Sequence, residues 1–318
     1  MNKLKFAFYW AASCGGCEIA VLDINEKILD LAELADIVFW PVALDFKYHH
    51  VEALEDKSID VCFFNGAIRN SEQERIAHLL RAKSKVMVAF GSCACWGGIP
   101  GLGNVSNQAG IFERVYRTTP STANADGVLP QPQTEVPEGE LEIPEFYDTV
   151  RALNQVVEVE YYLPGCPPPV DLILQAVEAI ATNQLPPPGA TIAPEKVLCD
   201  ECEREKAEEK SVKEFKRPWE IIPDPEKCLL EQGLICAGPA TRAGCGAACI
   251  KVNMPCRGCF GPPADVADQG AKLLSAMSAL IDSDDPEEVA RIVEQIKDPL
   301  GTFYRFGLPA SLLQRTRT

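Results

Sequence analysis

Residues 5–17 read Lys-Phe-Ala-Phe-Tyr-Trp-Ala-Ala-Ser-Cys-Gly-Gly-Cys, and this stretch decides the fold. Lys5 to Trp10 is a β-rich run, followed at once by a turn of small residues that holds Cys14 and Cys17. The pattern then becomes helical, with Ile19, Leu22, Ile28, Leu31 and Leu34 at close to helical spacing over Glu18 to Leu34. Strand, tight turn and helix repeat outward along the chain, which is the mark of a parallel sheet covered by helices. Further strands are predicted at Ile37 to Pro41, Ile59 to Asn65, Lys85 to Phe90 and Val157 to Leu163. Ser71 to Lys83 reads as a helix opened by a capping box from Ser71 to Glu74, and another helix is expected after Pro169.

The periodicity disappears between Gly97 and about Glu145, and Thr119 to Pro144 is dense in Pro, Gly and acidic residues. This predicts a long exposed excursion: a solvated loop or, since long loops in compact domains are unusual, a docking surface for a partner. Gly97-Gly98 to Gly101-x-Gly103 opens no clear helix and is read as loop. After the break at Pro186-Pro187-Pro188-Gly189 the character changes. Two domains are therefore expected, 1–185 and 186–318, the second mostly irregular. Its clear helices are placed at Asp265 to Ile281, with Met277 and Leu280 in the core, and from Pro286 to Ile296, capped by Asp284 or Asp285. Phe303, Tyr304 and Phe306 are expected to be buried.

The 46 acidic and 30 basic side chains among 318 residues give a net charge of −16, which argues against nucleic acid. No apolar stretch approaches the roughly 20 residues of a spanning helix, so no membrane is expected. Lys3 and Lys5 before Phe6 to Ala12 resemble an export signal, but the apolar region is short and cleavage would remove the first strand. A cytoplasmic protein is expected.

Fourteen cysteines in a chain long enough to bury a core need a reason other than disulfides. In an open α/β sheet, ligands bind beyond the carboxyl ends of the strands. Cys14 and Cys17 follow the first strand, Cys93 the fourth and Cys166 the fifth. Four thiolates converging there suit a cubane iron-sulfur cluster, or tetrahedral zinc. The turn Cys14-Gly15-Gly16-Cys17 lacks the G-x-G-x-x-G pattern, which disfavours a nucleotide. Cys62 reads as a small apolar residue of the third strand, and spacing does not decide between Cys93 and Cys95.

The other eight are Cys199-x2-Cys202, Cys228, Cys236, Cys245-x3-Cys249 and Cys256-x2-Cys259. A zinc ribbon wants its pairs roughly 15 to 20 residues apart, whereas residues 203 to 255, 53 in all, separate Cys202 from Cys256. Two further clusters, making three, give stepwise electron transfer. The acidic run Asp200 to Glu209 reads as a solvated face, or as a selector of a basic partner.

The motifs Cys14-x2-Cys17-Glu18, Gly91-Ser92-Cys93-Ala94 and Pro164-Gly165-Cys166-Pro167-Pro168 resemble the small, electron-transferring subunit of nickel-iron hydrogenases over nearly the whole chain. The resemblance implies an α/β fold, a flavodoxin-like doubly wound parallel sheet with a second, smaller, mostly irregular iron-sulfur domain. It implies three 4Fe-4S clusters: proximal on Cys14, Cys17, Cys93 and Cys166, favouring Cys93 over Cys95; medial on Cys245, Cys249, Cys256 and Cys259; distal on Cys199, Cys202, Cys228 and Cys236. Periplasmic members have a histidine where Cys199 stands and no thiolate at the position of Cys249, where they hold a three-iron cluster. A full four-iron centre of lower potential is implied here.

Gly97-Gly98-Ile-Pro-Gly-Leu, Gln232 to Ala240, Pro255-Cys256-Arg-Gly-Cys259 and Gly301-Thr-Phe-Tyr look most like the cytoplasmic methyl-viologen-reducing, coenzyme F-420-non-reducing group. That group implies a nickel-iron large subunit, a 2Fe-2S delta subunit and a heterodisulfide reductase as partners. Dihydrogen would be oxidised in another chain, because neither R-x-C-G-x-C nor D-P-C-x-x-C occurs here, and electrons would enter at the proximal cluster and leave by the distal one. No catalytic residue is expected. Glu18 is expected to face solvent, cap a helix or orient a ligand network. The alternatives are a coenzyme F-420-reducing or sulfur-reducing relative, or an iron-sulfur carrier of another oxidoreductase.

Overall fold

The structure, a computed structural model, describes residues 3–208 and 211–315. Its centre is a parallel sheet of β1 (Leu4–Trp10), β2 (Ala35–Phe39), β3 (Ile59–Asn65), β4 (Ser84–Phe90) and β5 (Tyr161–Leu163). Their spatial order is β2-β1-β3-β4-β5, the flavodoxin-like doubly wound order, which reverses between β1 and β3. Successive side chains of a strand point to opposite faces, so each strand feeds two cores. Phe6, Phe8, Val61, Phe63, Val88 and Phe90 pack on one face. Ala7, Tyr9, Cys62, Phe64, Met87 and Ala89 pack on the other.

The helices that bear on the site are α1 (Gly16–Leu22), α2 (Ile28–Leu34), α3 (Ser71–Lys83), α4 (Ser92–Trp96), α5 (Val170–Ala181), α6 (Gln269–Ser278) and α7 (Pro286–Val293). The single helix predicted over Glu18 to Leu34 is two helices. Asn25 sits at φ 55°, in the left-handed region, and a short 3-10 turn at Asn25–Lys27 separates them. The cap of α3 is Asn70 rather than Ser71: its side chain accepts from Gln73 N at 2.9 Å, while Ser71 Oγ accepts from Glu145 N. β2 begins and ends two residues earlier than predicted, and β5 is confined to three residues, because Val157 turns into the core beneath a 3-10 turn at Leu153–Gln155. α6 is shorter than Asp265 to Ile281, since Asp268 caps it. α7 starts at Pro286 under the Asp285 cap, as expected, but ends at Val293.

The excursion after Gly97 is mostly exposed, as expected, although residues near its start, Gly101 and Asn104 among them, are buried, and it is not structureless. It contains a 3-10 turn at Ile99–Val105, a π-helical turn at Glu113–Thr118 and a hairpin of Gln133–Val136 with Gly139–Glu142. Phe146–Arg151 then pairs antiparallel with Ile68–Asn70. After Gly189 the chain runs beside β5, with Ile192 N donating to Tyr162 O at 2.8 Å. Residues 198–303 build a third core that includes Leu229, Leu234, Cys236, Ile250, Cys256, Leu273, Met277, Leu280 and Phe303. Phe306 is also buried; Tyr304 is half-buried.

Asp268 ties the end of the chain to this core: its carboxylate accepts from Ala271 N at 2.9 Å and from Leu312 N at 3.0 Å. Asp268→Ala removes the cap and orphans a tail amide, so a loss of about 1–2 kcal/mol is expected. Amides of α6 and of residues 311–314 should exchange faster by hydrogen-exchange mass spectrometry, with those of β3 unchanged.

Candidate functional site

Cys14 and Cys17 flank the entry to α1, where Gly15 takes φ 81° and turns the chain sharply after β1. Cys93 lies in the first turn of α4 directly beyond β4, and Cys166 directly beyond β5. All four therefore gather at the carboxyl edge of the sheet. Burial pushes the Cys17 thiol far up, and the neighbouring charges of Cys93, Cys166, Cys95 and Cys14 push it further. The Cys93 thiol is raised to about 12, by burial first and then by Cys166 and Cys14.

Glycines give these thiols their room. A Cβ on Gly91 would overlap Cys17 Sγ, and one on Gly98 would lie 2.7 Å from Cys93 Cα and 2.9 Å from Cys93 N. Both glycines have positive φ, 83° and 55°. Cys95 is turned away from this group: its thiol is in contact with Ala89 O at 3.2 Å and it is packed in the core on the other sheet face, as is Cys62.

A second group brings Cys199, Cys202, Cys228 and Cys236 together. The Cys199 thiol is raised to about 12 by burial and then by Cys236, Cys228 and Cys202, with Lys206 opposing. The four line one recess together with Leu229, Leu230 and Ile250. A Cβ on Gly238 would lie 3.1 Å from Cys199 Sγ. Cys245, Cys249, Cys256 and Cys259 form the third group; the charges of Cys245 and Cys249 both bear on Cys259, as does that of Cys259 on Cys256.

The three groups stand in a row. Cys259 also senses the charge of Cys166, and Ser92 Oγ lies within hydrogen-bond reach of both Gly165 O (2.8 Å) and Cys259 O, its one proton shared between the loops of the first and third groups. At the other end, Cys256 N donates to Cys236 Sγ at 3.3 Å. Four soft thiolates set around a glycine-lined space fit an iron-sulfur cube.

Glu18 does not face solvent. It is 3% exposed, accepts from Trp40 Nε1 and from Asn65 Nδ2 (3.5 Å), and its carboxyl is raised by burial against the opposing effect of both bonds. The run from Asp200 divides. Glu203, Glu205 and Glu208 are exposed, as a solvated face should be, and Glu209 lies outside the described residues. Glu201, however, accepts from Gly244 N at 2.7 Å and Gly246 N at 3.1 Å and so fixes the Cys245 loop. Lys206 Nζ donates to Cys199 O and Cys202 O. Glu201 and Arg204 carry no sequence signal, because most of what they bind is backbone remote along the chain.

A flavodoxin-like sheet with cysteines at its strand ends, continued into a cysteine-rich region, is the plan of a redox-complex subunit. The chain belongs to the family described as NADH ubiquinone oxidoreductase, 20 Kd subunit, which matches residues 14–180. Within that family it belongs with the iron-sulfur subunits of F420-non-reducing hydrogenases. It is 41% identical over 317 residues to the F420-non-reducing hydrogenase iron-sulfur subunit of Archaeoglobus profundus, covering 98% of each chain. It is 40% identical to the equivalent F420-non-reducing hydrogenase subunit of Methanothermobacter thermautotrophicus, over 98% of this chain and 96% of that one. The crystal structure of an NAD+-reducing [NiFe]-hydrogenase in the H2-reduced state superposes with TM-score 0.50 at 26% identity, over 58% of this chain and 94% of that one. The protein is thus a subunit of an oxidoreductase, a hydrogenase. Among its described residues, no helix is long and apolar enough to cross a membrane.

Proposed function

We propose that this chain is the electron-relaying small subunit of a cytoplasmic nickel-iron hydrogenase of the F420-non-reducing type, working with a nickel-iron large subunit, a 2Fe-2S delta subunit and a heterodisulfide reductase. Its domains are 1–185 and 186–318. Cys14, Cys17, Cys93 and Cys166 would hold a proximal 4Fe-4S cluster; Cys245, Cys249, Cys256 and Cys259 a medial one; Cys199, Cys202, Cys228 and Cys236 a distal one. Such clusters, when bound, supply one-electron transfer at potentials set by charge, burial and hydrogen bonds to sulfur.

The observation that carries the reading is the continuity of the three thiol groups, through Cys166 and Cys259 at one junction and Cys236 and Cys256 at the other. The chain's own residues position and shield. Ser92 locks the first junction, the amide of Cys256 supports the second, and Leu229, Leu230 and Ile250 keep water from the distal recess. No residue here acts as an acid, a base or a nucleophile.

Metal and acid-labile sulfide analysis of the anaerobically purified native complex tests this. About twelve irons and twelve sulfides per chain are expected, with nickel in the accompanying large chain. A colourless, zinc-bearing protein without sulfide sinks the cluster reading; a full iron complement with no nickel chain at its side sinks the hydrogenase reading.

A further inference from the structure

A shallow recess opens between the segment Lys216–Trp219 and the segments carrying Arg257 and Arg305, with Cys256 and Ala237 in its lining. In a chain of net charge −16 its walls are basic. Lys216 is paired, with Glu214 at 2.6 Å. Among the described residues Arg217, Arg257 and Arg305 have no carboxylate partner for their guanidinium groups. The positive charges of Arg305 and Arg217 bear on Arg257, and the nearest acid in the lining, Asp298, is occupied in capping Gly301 N at 2.9 Å. Three guanidinium groups share this recess with only Asp298 in its lining and the charges of Cys249 and Cys236 near Arg257, which leaves net positive charge for an incoming anion to neutralise.

The rim says what kind of anion. Trp219 is 74% exposed, with the Arg217 guanidinium over its ring at 5.0 Å. A free inorganic anion would neutralise the arginines and leave the indole in water. Tryptophan and arginine side by side are the composition of a protein-binding hot spot.

We infer that this recess is the docking site for an acidic segment of a partner polypeptide, whose carboxylates enter among Arg217, Arg257 and Arg305 and whose apolar side chains cover Trp219. The inference rests on the chain being one subunit of an assembly, and not on the ligation of any cluster. Complementary charge there sets the rate and register of assembly.

The test is made in the intact complex. With Trp219 replaced by the photo-reactive residue p-benzoylphenylalanine, irradiation is expected to join this chain to a partner segment richer in Asp and Glu than in Lys and Arg. An adduct to a neutral or basic segment, or no adduct to any partner, overturns the proposal. So does loss of the adduct on adding millimolar inorganic phosphate at constant ionic strength, which would make this a small-anion site. Independently, the double variant Arg217→Gln/Arg305→Gln, once shown to keep its full iron and sulfide content, should release the adduct-forming partner at least tenfold faster at low salt. That difference should vanish near 1 M salt, where the screening length is about 3 Å; equal release at low salt overturns the proposal. Nickel analysis of the same complex reports on the hydrogenase reading separately.

Discussion

Gly98→Ala chain purified without oxygen is expected to carry about eight irons instead of about twelve, one four-iron cluster having been lost. Gly98 has φ 55° and ψ −154°, a region open almost only to glycine, and that alone strains any replacement. The decisive effect is the collision. An added Cβ meets the α-carbon and amide nitrogen of Cys93, at 2.7 and 2.9 Å, and backbone cannot swing aside as a side-chain tip can. Cys93 is held in turn by Gly97 N, which donates to its carbonyl at 3.0 Å, and Gly98 N donates to Phe306 O at 3.0 Å, so neither partner can retreat alone. The Cys93 thiol must then leave its place beside Cys14, Cys17 and Cys166. Gly189→Ala separates the two effects, because Gly189 also has positive φ, 94°, but an added Cβ there meets nothing within 4 Å. That variant should lose about 1 kcal/mol of stability and keep all its iron. A Gly98→Ala chain with full iron and sulfide would mean that Cys93 is not a ligand.

How far the sequence could be read follows from what each residue is bound to. β3 matches its predicted span at both ends and α3 likewise, because a strand covered on both faces is a continuous apolar run and an amphipathic helix advertises its period. The break at Asn25 escaped because the apolar spacing of Ile19, Leu22, Ile28 and Leu31 continues across it; only the left-handed backbone of one asparagine marks the join. The hairpin at 133–142 has no buried face and therefore no pattern to detect. The first thiol group was legible because sheet topology places strand ends together whatever lies between them; the eight later cysteines lie on no strand, and only the resemblance divided them into two sets. Cys93 and Cys95 could not be separated by spacing, yet two residues apart on a helix means about 200° of rotation. In α4 that sends Cys93 to the sheet edge and Cys95 into the core.

Arg204→Leu is expected to cost the chain both its medial and its distal clusters, about eight of about twelve irons. Arg204 is 8% exposed and its guanidinium binds four acceptors. Nη1 donates to Asp224 O at 2.7 Å and Lys227 O at 2.9 Å, and Nη2 donates to Ile250 O at 3.0 Å and to Asn253 Oδ1. The first pair of acceptors leads directly into Cys228 and the second directly follows Cys249, so one planar fork sets the distance between two thiol groups. Leucine fills part of the volume but offers no donor: Asn253 Oδ1 is orphaned, while Asp224 O and Lys227 O keep only Gln232 Nε2 and Ile250 O only Asn253 N, at a cost of roughly 2 kcal/mol. Asn253, held at φ 63° with its amide nitrogen donating to Pro223 O at 3.1 Å, loses its other anchor. Arg204→Lys should not restore the clusters, since an ammonium offers no fixed fork to two chain segments at once. Cys14, Cys17, Cys93 and Cys166 do not depend on this arginine, and a residual signal of about four irons with sulfide to match is the expected remainder. A variant that keeps about twelve irons, measured alongside its sulfide, would show that the two loops hold their register without the guanidinium and that their order comes from the bound clusters instead.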